Sequence, residues 1–453
     1  MHDDADNESD TGRSRGDGRL ARRTVAAVVL SIIAALAVGQ WLVEGLFVPM
    51  TVCSGSMAPA VLGPHCRFEC AACQQPFVCG ADVPEIGRWR VCPHCGDVVE
   101  IISPPMVHEG DRVLLLRAAF GRKGPRRWEL VAFRDPQRPS RATIKRIVGL
   151  PGETVQIRRG DVYVNGRIAA KDWAMQCEMA VLVHDASTDG TNPSEPESRW
   201  KPVGDRSGWT RRGTRFLHQG GPASASSVDW LVYHHRRREG GSLVAGPVTD
   251  ELSYNQWRTL RGDQTETVRD LTLCFQANEL AGDGWLVVRA NGGDDGQLET
   301  WIQPKSRSCE FRFNGQVVAS GMVTTLGPLS EGHVTVGLVD GQWILAWDGR
   351  VVLRHERPKA GDAASPSERP WAIGSAGLTI EMEPPRVYRD THYGRPPGVL
   401  ARWGFDRPVV LASDEFFVLG DNSPVSEDSR TWPDGPGLRA KLLLGRPAIV
   451  QIP

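Results

Sequence analysis

At 453 residues the chain is long enough for two or three domains, and 53 basic residues against 54 acidic ones leave none of the positive excess that a nucleic-acid partner calls for. Glycine (49) and proline (32) are plentiful, while helical periodicity is scarce beyond the first 45 residues. The body is therefore expected to be mainly β, built of short strands and turns.

The N-terminus departs from that pattern. Residues 1–23 are polar and carry Arg13, Arg15, Arg19, Arg22 and Arg23. From Thr24 to Val43 ("TVAAVVLSIIAALAVGQWLV") there is no charge. As a helix, a run of this length rises roughly 30 Å, the thickness of a bilayer's hydrocarbon. The run is expected to be a transmembrane anchor. The arginines before it and the lone Glu44 in the 20 residues after it place the N-terminus in the cytoplasm and the remainder outside. A cleaved secretory signal is the competing reading, but the run is longer than a signal core and no strong small-x-small site follows it at once.

Residues 44–64 leave the anchor and contain "SGSMAP", Ser54 to Pro59. Residues 65–107 are cysteine-rich, and residues 108–170 read as strands: "DRVLLLRAAF", "WELVAFRDP" and "ATIKRIVGLPGETVQIRRGDVYVNG", with a hairpin signal at Asn165-Gly166. Residues 171–405 change style, polar and weakly patterned to about residue 226 and then strongly alternating. Asp340-Gly341 and Asp348-Gly349 punctuate "HVTVGLVDGQWILAWDGRVVLRHE" into a three-stranded meander, and so many strands favour a β-sandwich. Residues 406–453 return to the earlier style with "DEFFVLGDNSPVSEDSRTW". The sandwich thus interrupts a single strand-rich core.

Chemistry is concentrated in a few residues. A serine hydroxyl is a poor nucleophile until a base takes its proton, and the 11 histidines are scattered with none convincingly placed beside a serine. A lysine serves only when neutral, which burial achieves by lowering its pKa by up to about 3 to 5 units. Lys145, on a strand, shares a face with Thr143 and Ile147, opposite Ile144, Arg146 and Val148. Taken alone, that strand would equally suit an edge lysine pointing into water.

"SGSMAP", "TIKRIVGLPGE" and "GDNSPVSEDSR", in that order behind an apolar segment, resemble the signature boxes of bacterial signal peptidase I. The resemblance extends to "GDRVLLLRAAFG" and "WELVAFRDP" and covers about a third of the chain. It implies a membrane-anchored Ser/Lys endopeptidase with a β-rich catalytic fold that removes signal peptides outside the cytoplasmic membrane. Its partners would be preproteins carrying signal peptides, membrane lipid and the secretion machinery. Carried over residue by residue, it makes Ser56 the nucleophile and Lys145 the general base. Ser54 and the Ser56 backbone N–H hold the oxyanion, Ser426 positions the lysine, and Asp428 and Arg430 form a supporting ion pair with Arg146 beside it. Two departures stand out, Ala60 where the family usually has Thr and Ser-Pro-Val after Asn422; they bear on pocket shape and leave nucleophile and base untouched.

Between the first two boxes, Cys70-x2-Cys73 and Cys92-x2-Cys95, 18 residues apart, have the spacing of a four-cysteine zinc ribbon with a structural ion. Cys66, Cys79, His65 and His94 are read as bystanders, with Cys66 or Cys79 as substitutes. Because the topology puts the patch outside the cytoplasm, disulfides are the rival reading. Four thiolates would leave no open position for catalysis, so catalysis needs no cofactor. In the interruption, "AIGSAGLTIEMEPPRVYRDTHYG" loosely resembles concanavalin-like jelly rolls. Eleven of the 15 tryptophans fall between Trp173 and Trp403, and most are expected in the sandwich core.

The expected protein is a single-pass membrane peptidase with three core segments, a ribbon and a jelly-roll-like sandwich. Two rivals remain. A Ser/Lys autoprotease of the SOS-repressor kind would need a DNA-binding domain where the apolar run stands. An envelope protein with a glycan- or peptide-binding sandwich would carry an inert core, against which the intact Ser54, Ser56, Lys145, Ser426, Asp428 and Arg430 argue.

Overall fold

The architecture comes from a computed structural model, which describes residues 14–81, 89–95, 97–117, 120, 124–190, 197–220, 228–239, 242–256, 265–291, 296–324, 329–357 and 367–449. The molecule is mainly β, as its composition suggests. A helix spans Ser14–Leu46, with side chains described for residues 24–39. Val25, Leu30, Ile33 and Leu36 on it are each more than half exposed. Among the described residues no helix is long and apolar enough to cross a membrane. The first 13 residues of the expected cytoplasmic tail, and the side chains of residues 40–43 of the expected anchor, lie outside the described residues.

A seven-stranded sheet draws its strands from three separated stretches of chain. Its order is Phe47–Thr51, Arg112–Leu116, Leu443–Ile449, Leu130–Arg134, Ala142–Gly149, Glu415–Leu419 and Leu438–Arg439. Alternation does the folding here: Val131 and Phe133 point inward with Ile147, Phe416, Val418, Trp432 and Leu438 to form one core. A four-stranded sheet of Thr154–Arg158, Asp161–Val164, Arg167–Ile168 and Val409–Val410 packs a second core, in which Val155, Ile157 and Val162 meet Val148, Phe417 and Leu419. The Asn165-Gly166 turn has φ of 50° and 79°, the left-handed pair that a two-residue hairpin requires.

The interruption is a sandwich of a nine-stranded and a seven-stranded sheet. The expected meander is Gly332–Val339, Gln342–Trp347 and Arg350–Glu356, all antiparallel, and both of its Asp-Gly turns take positive φ. Its core holds Trp200, Trp209, Trp343, Trp347 and Trp371 with Phe275 and Phe311, so tryptophan serves here mainly as packing volume. Phe311 from one sheet stacks on Trp343 from the other at 4.2 Å between ring centroids. Strands Gly332–Val339 and Leu271–Ala281 pair over seven residues in continuous register, from Leu271–Leu338 to Ala277–Gly332.

The cysteine-rich stretch forms two short antiparallel pairs, His65–Glu69 with Pro76–Gly80, to which Val107–His108 adds a third strand, and Trp89–Val91 with Val98–Glu100. Each pair presents its cysteines from the connecting turn. Gln74 N–H donates to Cys70 C=O at 2.8 Å and Cys92 N–H to Asp97 C=O at 2.8 Å, closing the two knuckles.

Candidate active site

Lys145 lies on an interior strand, flanked by Leu130–Arg134 and Glu415–Leu419. That position rules out the edge-strand reading: the lysine stands in the middle of a sheet, directly opposite Val131. It is 2% exposed. Burial is the chief influence on its ammonium, opposed in part by the negative charge of Asp428, and the pKa falls from 10.5 to about 8.

Its Nζ donates to Ser56 Oγ at 2.5 Å. Ser56 sits in the single 3-10 turn Gly55–Met57, where Ala58 N–H bonds back to Gly55 C=O. Buried Met57 and Val61 pack with Val113 and pin the turn to the sheet. Ser54 Oγ stands 3.3 Å from Ser56 Oγ, so a second hydroxyl flanks that of Ser56. The two serines and the lysine line a cleft of about 300 Å³ whose far wall carries Arg138, Arg141 and Glu427. A second cleft of about 260 Å³ on the other side of Ser56 is walled by Met50, Met57, Val113 and Ile144 and is largely apolar.

Behind the dyad lies a dry polar network. Asp428 and Arg430 are both fully buried and paired at 2.8 Å. Burial pushes the Asp428 carboxyl up, but the charge and hydrogen bonds of Arg430 outweigh it and hold the pKa below the usual carboxylate range. Arg430 also donates to Ser423 Oγ and Gly394 C=O at 2.6 Å each. Asp428 accepts from Gly420 N–H at 3.0 Å. A buried pair satisfied in this way is tolerable where a bare one is not.

Arg146 goes elsewhere. Pointing to the opposite face of its strand from Lys145, it grips Asp421 through bonds of 2.7 and 2.9 Å and donates to Trp128 C=O at 2.6 Å. Its nearer carboxylate partner is thus Asp421, with Glu178 at 3.6 Å, both outside the Asp428–Arg430 pair; Asp421 stands inside the third box, where the sequence reading did not single it out. Ser426 is 3% exposed and its Oγ has no hydrogen-bond partner among the described residues. It is packed where any side chain on Gly420 would have to go, next to the Ser56 carbonyl.

The third box reaches the Ser56 turn through another residue. Asn422 N–H donates to Ser56 C=O at 3.1 Å, and Asn422 Nδ2 donates to Gly55 C=O at 2.8 Å. Composition and spacing gave no hint of the next contacts: from the sandwich insertion, Tyr254 packs over Gly55 of this turn, Asn255 bonds to Asn422, and Gln256 bonds to Val91 in the cysteine-rich stretch.

Cys70, Cys73, Cys92 and Cys95 converge, each buried, with all four Sγ atoms within 4.8 Å of one another. Cys70 to Cys95 is 3.5 Å and Cys73 to Cys92 is 3.7 Å. Four thiolates around a tetrahedral ion at about 2.3 Å would stand about 3.8 Å apart, so the set fits a metal such as zinc. None of the four is in a disulfide. Cys66 and Cys79 face each other across a strand pair outside the cluster; His65 and His94 ring nitrogens bond to the carbonyls of Gly63 and Pro76.

Comparison with known proteins agrees with part of this picture. The family described as "Signal peptidase, peptidase S26" matches residues 95–199, a stretch that includes Lys145 and Arg146. The chain is 34% identical over 75 residues to a probable signal peptidase I-2 of Synechocystis, covering 15% of this chain and 34% of that one. It is 37% identical over 70 residues to signal peptidase I of Leptolyngbya laminosa, covering 14% and 34%. It is also 34% identical over 67 residues to signal peptidase I V of Bacillus subtilis, covering 15% and 39%. The chain thus spans about a third of the length of these relatives. Among solved structures, a carbohydrate-binding module of Bacillus subtilis aligns at 11% identity and a TM-score of 0.26, covering 41% of this chain and 92% of that one. The Emp47p carbohydrate recognition domain aligns at 11% and 0.27, covering 42% and 89%.

Proposed function

We propose that the protein is a serine endopeptidase of the signal peptidase I kind, cutting signal peptides from preproteins at the outer face of the cytoplasmic membrane. The observation that carries this reading is the 2.5 Å contact between Ser56 Oγ and a lysine that is buried, has no carboxylate in contact among the described residues and has a pKa of about 8. About a tenth of such lysines are neutral at pH 7, against roughly one in a few thousand for a lysine in water.

Ser56 Oγ attacks the scissile carbonyl while Lys145 Nζ takes its proton. The new oxyanion is held by the Ser56 N–H and the Ser54 hydroxyl. As the tetrahedral adduct collapses, the C–N bond breaks and Lys145 returns the proton to the leaving amine. Water then attacks the acyl-enzyme, losing its proton to Lys145, and the released Ser56 recovers a proton from it. Ser426 is assigned to hold the lysine while Ser56 is esterified; its buried hydroxyl has no partner among the described residues. The apolar cleft walled by Met50, Met57, Val113 and Ile144 suits small apolar side chains beside the cut.

The helix from Ser14 is proposed as the anchor, with the cytoplasm on its N-terminal side, since its exposed Val, Leu and Ile side chains suit lipid. Zinc is proposed for the four-thiolate cluster, where it would tie the two knuckles together and leave no position for substrate. The reading is tested by cleavage of a preprotein in detergent or liposomes. Wild type is expected to cut next to small residues and Ser56→Ala to be silent; an active Ser56→Ala protein would sink it.

A further inference from the structure

The turn Ser253–Asn255 and the residue after it belong to the sandwich insertion, yet they are seated against the nucleophile turn. Tyr254 is 4% exposed, and its ring lies directly over the Cα atoms of Gly55 and Gly80, so a side chain at either position would collide with it. Its hydroxyl donates to Pro64 C=O at 2.8 Å. Asn255, also 4% exposed, forms a reciprocal amide pair with Asn422: Asn255 Nδ2 donates to Asn422 Oδ1 at 2.6 Å, and Asn422 Nδ2 donates back at 3.0 Å. Gln256 clasps the backbone of Val91 from both sides, accepting from its N–H at 3.0 Å and donating to its carbonyl at 2.5 Å. Three consecutive residues therefore tie the sandwich to the nucleophile turn, to the third box and to the cysteine ribbon.

One of these ties bears on catalysis through a property of the peptide bond. Gly55 C=O and Ser56 N–H belong to one planar trans peptide unit, so they point in opposite directions. Whatever holds the carbonyl aims the N–H. Asn422 Nδ2 holds that carbonyl at 2.8 Å, together with Ala58 N–H at 3.1 Å. The Asn422 amide does so only with its NH2 end toward Gly55, because the reverse orientation would set one oxygen against another. Asn255 donates to Asn422 Oδ1 and so occupies the oxygen end of that amide, stabilising the orientation that the Gly55 carbonyl demands.

We propose that Asn255 is a positioning residue for the peptidase: through Asn422 it fixes the Gly55–Ser56 peptide plane and with it the oxyanion-binding N–H, so that the insertion completes the catalytic turn. This rests on the Ser56/Lys145 reading. An oxyanion donor is typically worth about 100-fold or more in rate, and misaiming one forfeits part of that, so the effect belongs in kcat.

The test uses the full chain and a preprotein substrate. Asn255→Leu is expected to lower kcat about 10- to 100-fold with KM held within about threefold. Asn255→Asp, which keeps the shape and the bond from Asn422 Nδ2 but loses the donor, is expected to lose about 10-fold in kcat and serves where the leucine protein does not fold. The double variant Asn255→Leu/Asn422→Leu is expected to be no more than about threefold slower than Asn422→Leu alone, because both act on one carbonyl. Variants within about threefold of wild type in kcat, or losses that multiply in the double variant, would overturn the proposal while the peptidase reading stands. A silent wild type, or an active Ser56→Ala control, would overturn both.

Discussion

Two buried lysines sit in opposite electrostatic states. Lys145 and Lys171 are 2% and 3% exposed, so both have given up water to much the same degree. Lys145 contacts a serine hydroxyl and keeps its nearest anion, Asp428, engaged with Arg430. Burial governs it, and its pKa falls to about 8. Lys171, where the catalytic core hands over to the sandwich, donates to Asp340 and to Asp390 at 2.7 Å each. Burial pulls its pKa down too, but the two carboxylates outweigh burial and hold the pKa above its ordinary value. Burial therefore makes a base only where anions are kept at one remove, and it makes a clamp where they are in contact. The Asp428–Arg430 pair is what keeps the cleft in the first condition.

The sharpest way to break the comparison is to exchange the roles. Lys145→Ala is expected to lower preprotein cleavage by at least about 1000-fold, whereas Lys171→Met leaves cleavage per folded molecule within about twofold. If Lys171→Met were as inactive as Lys145→Ala, the division into base and clamp would fail. Stability should reverse the order. Lys171→Met strands Asp340 and Asp390 and is expected to cost about 3 to 5 kcal/mol in denaturant unfolding. Lys145→Met is expected to stabilise at pH 7 by on the order of 1 to 3 kcal/mol, because it removes a buried ammonium. That gain depends on pH with a definite sign. The folded pKa, about 8, lies below the ordinary 10.5, so between those values the unfolded chain binds the extra proton. Wild-type stability therefore rises from about pH 8 to 10.5, and the advantage of Lys145→Met shrinks across the same window. The smallest expected effect is at the ribbon. Stripping metal with a strong chelator should loosen the Gln256–Val91 clasp yet leave at least about a tenth of the cleavage rate, since none of the four clustered cysteines lines either cleft beside Ser56.

Much of this was legible in the sequence because local pattern carried it. The Asp340-Gly341 and Asp348-Gly349 turns, the paired cysteines and the three boxes are short-range signals, and each marks a turn, a cluster or a side chain lining the cleft. What was not legible depended on contacts across long stretches of chain. Asp340 read only as a turn residue, yet its carboxylate accepts from Lys171, 169 residues away. Asn255 lies 167 residues from Asn422, and nothing local marks it as a partner of the nucleophile turn. The short helix Trp173–Glu178, capped by Asp172 through Met175 N–H, was likewise hidden in a region that read as irregular.

The central claim is that a buried, neutral lysine activates Ser56, and the pH profile of kcat/KM for preprotein cleavage by the wild-type protein tests it most directly. The profile reports groups of the free enzyme, and activity requires Lys145 without its proton. The rate should rise about tenfold per pH unit up to about pH 8 and level off above it. A profile that is already flat from pH 6, or one that turns up only near the ordinary lysine value of 10.5, would contradict the account.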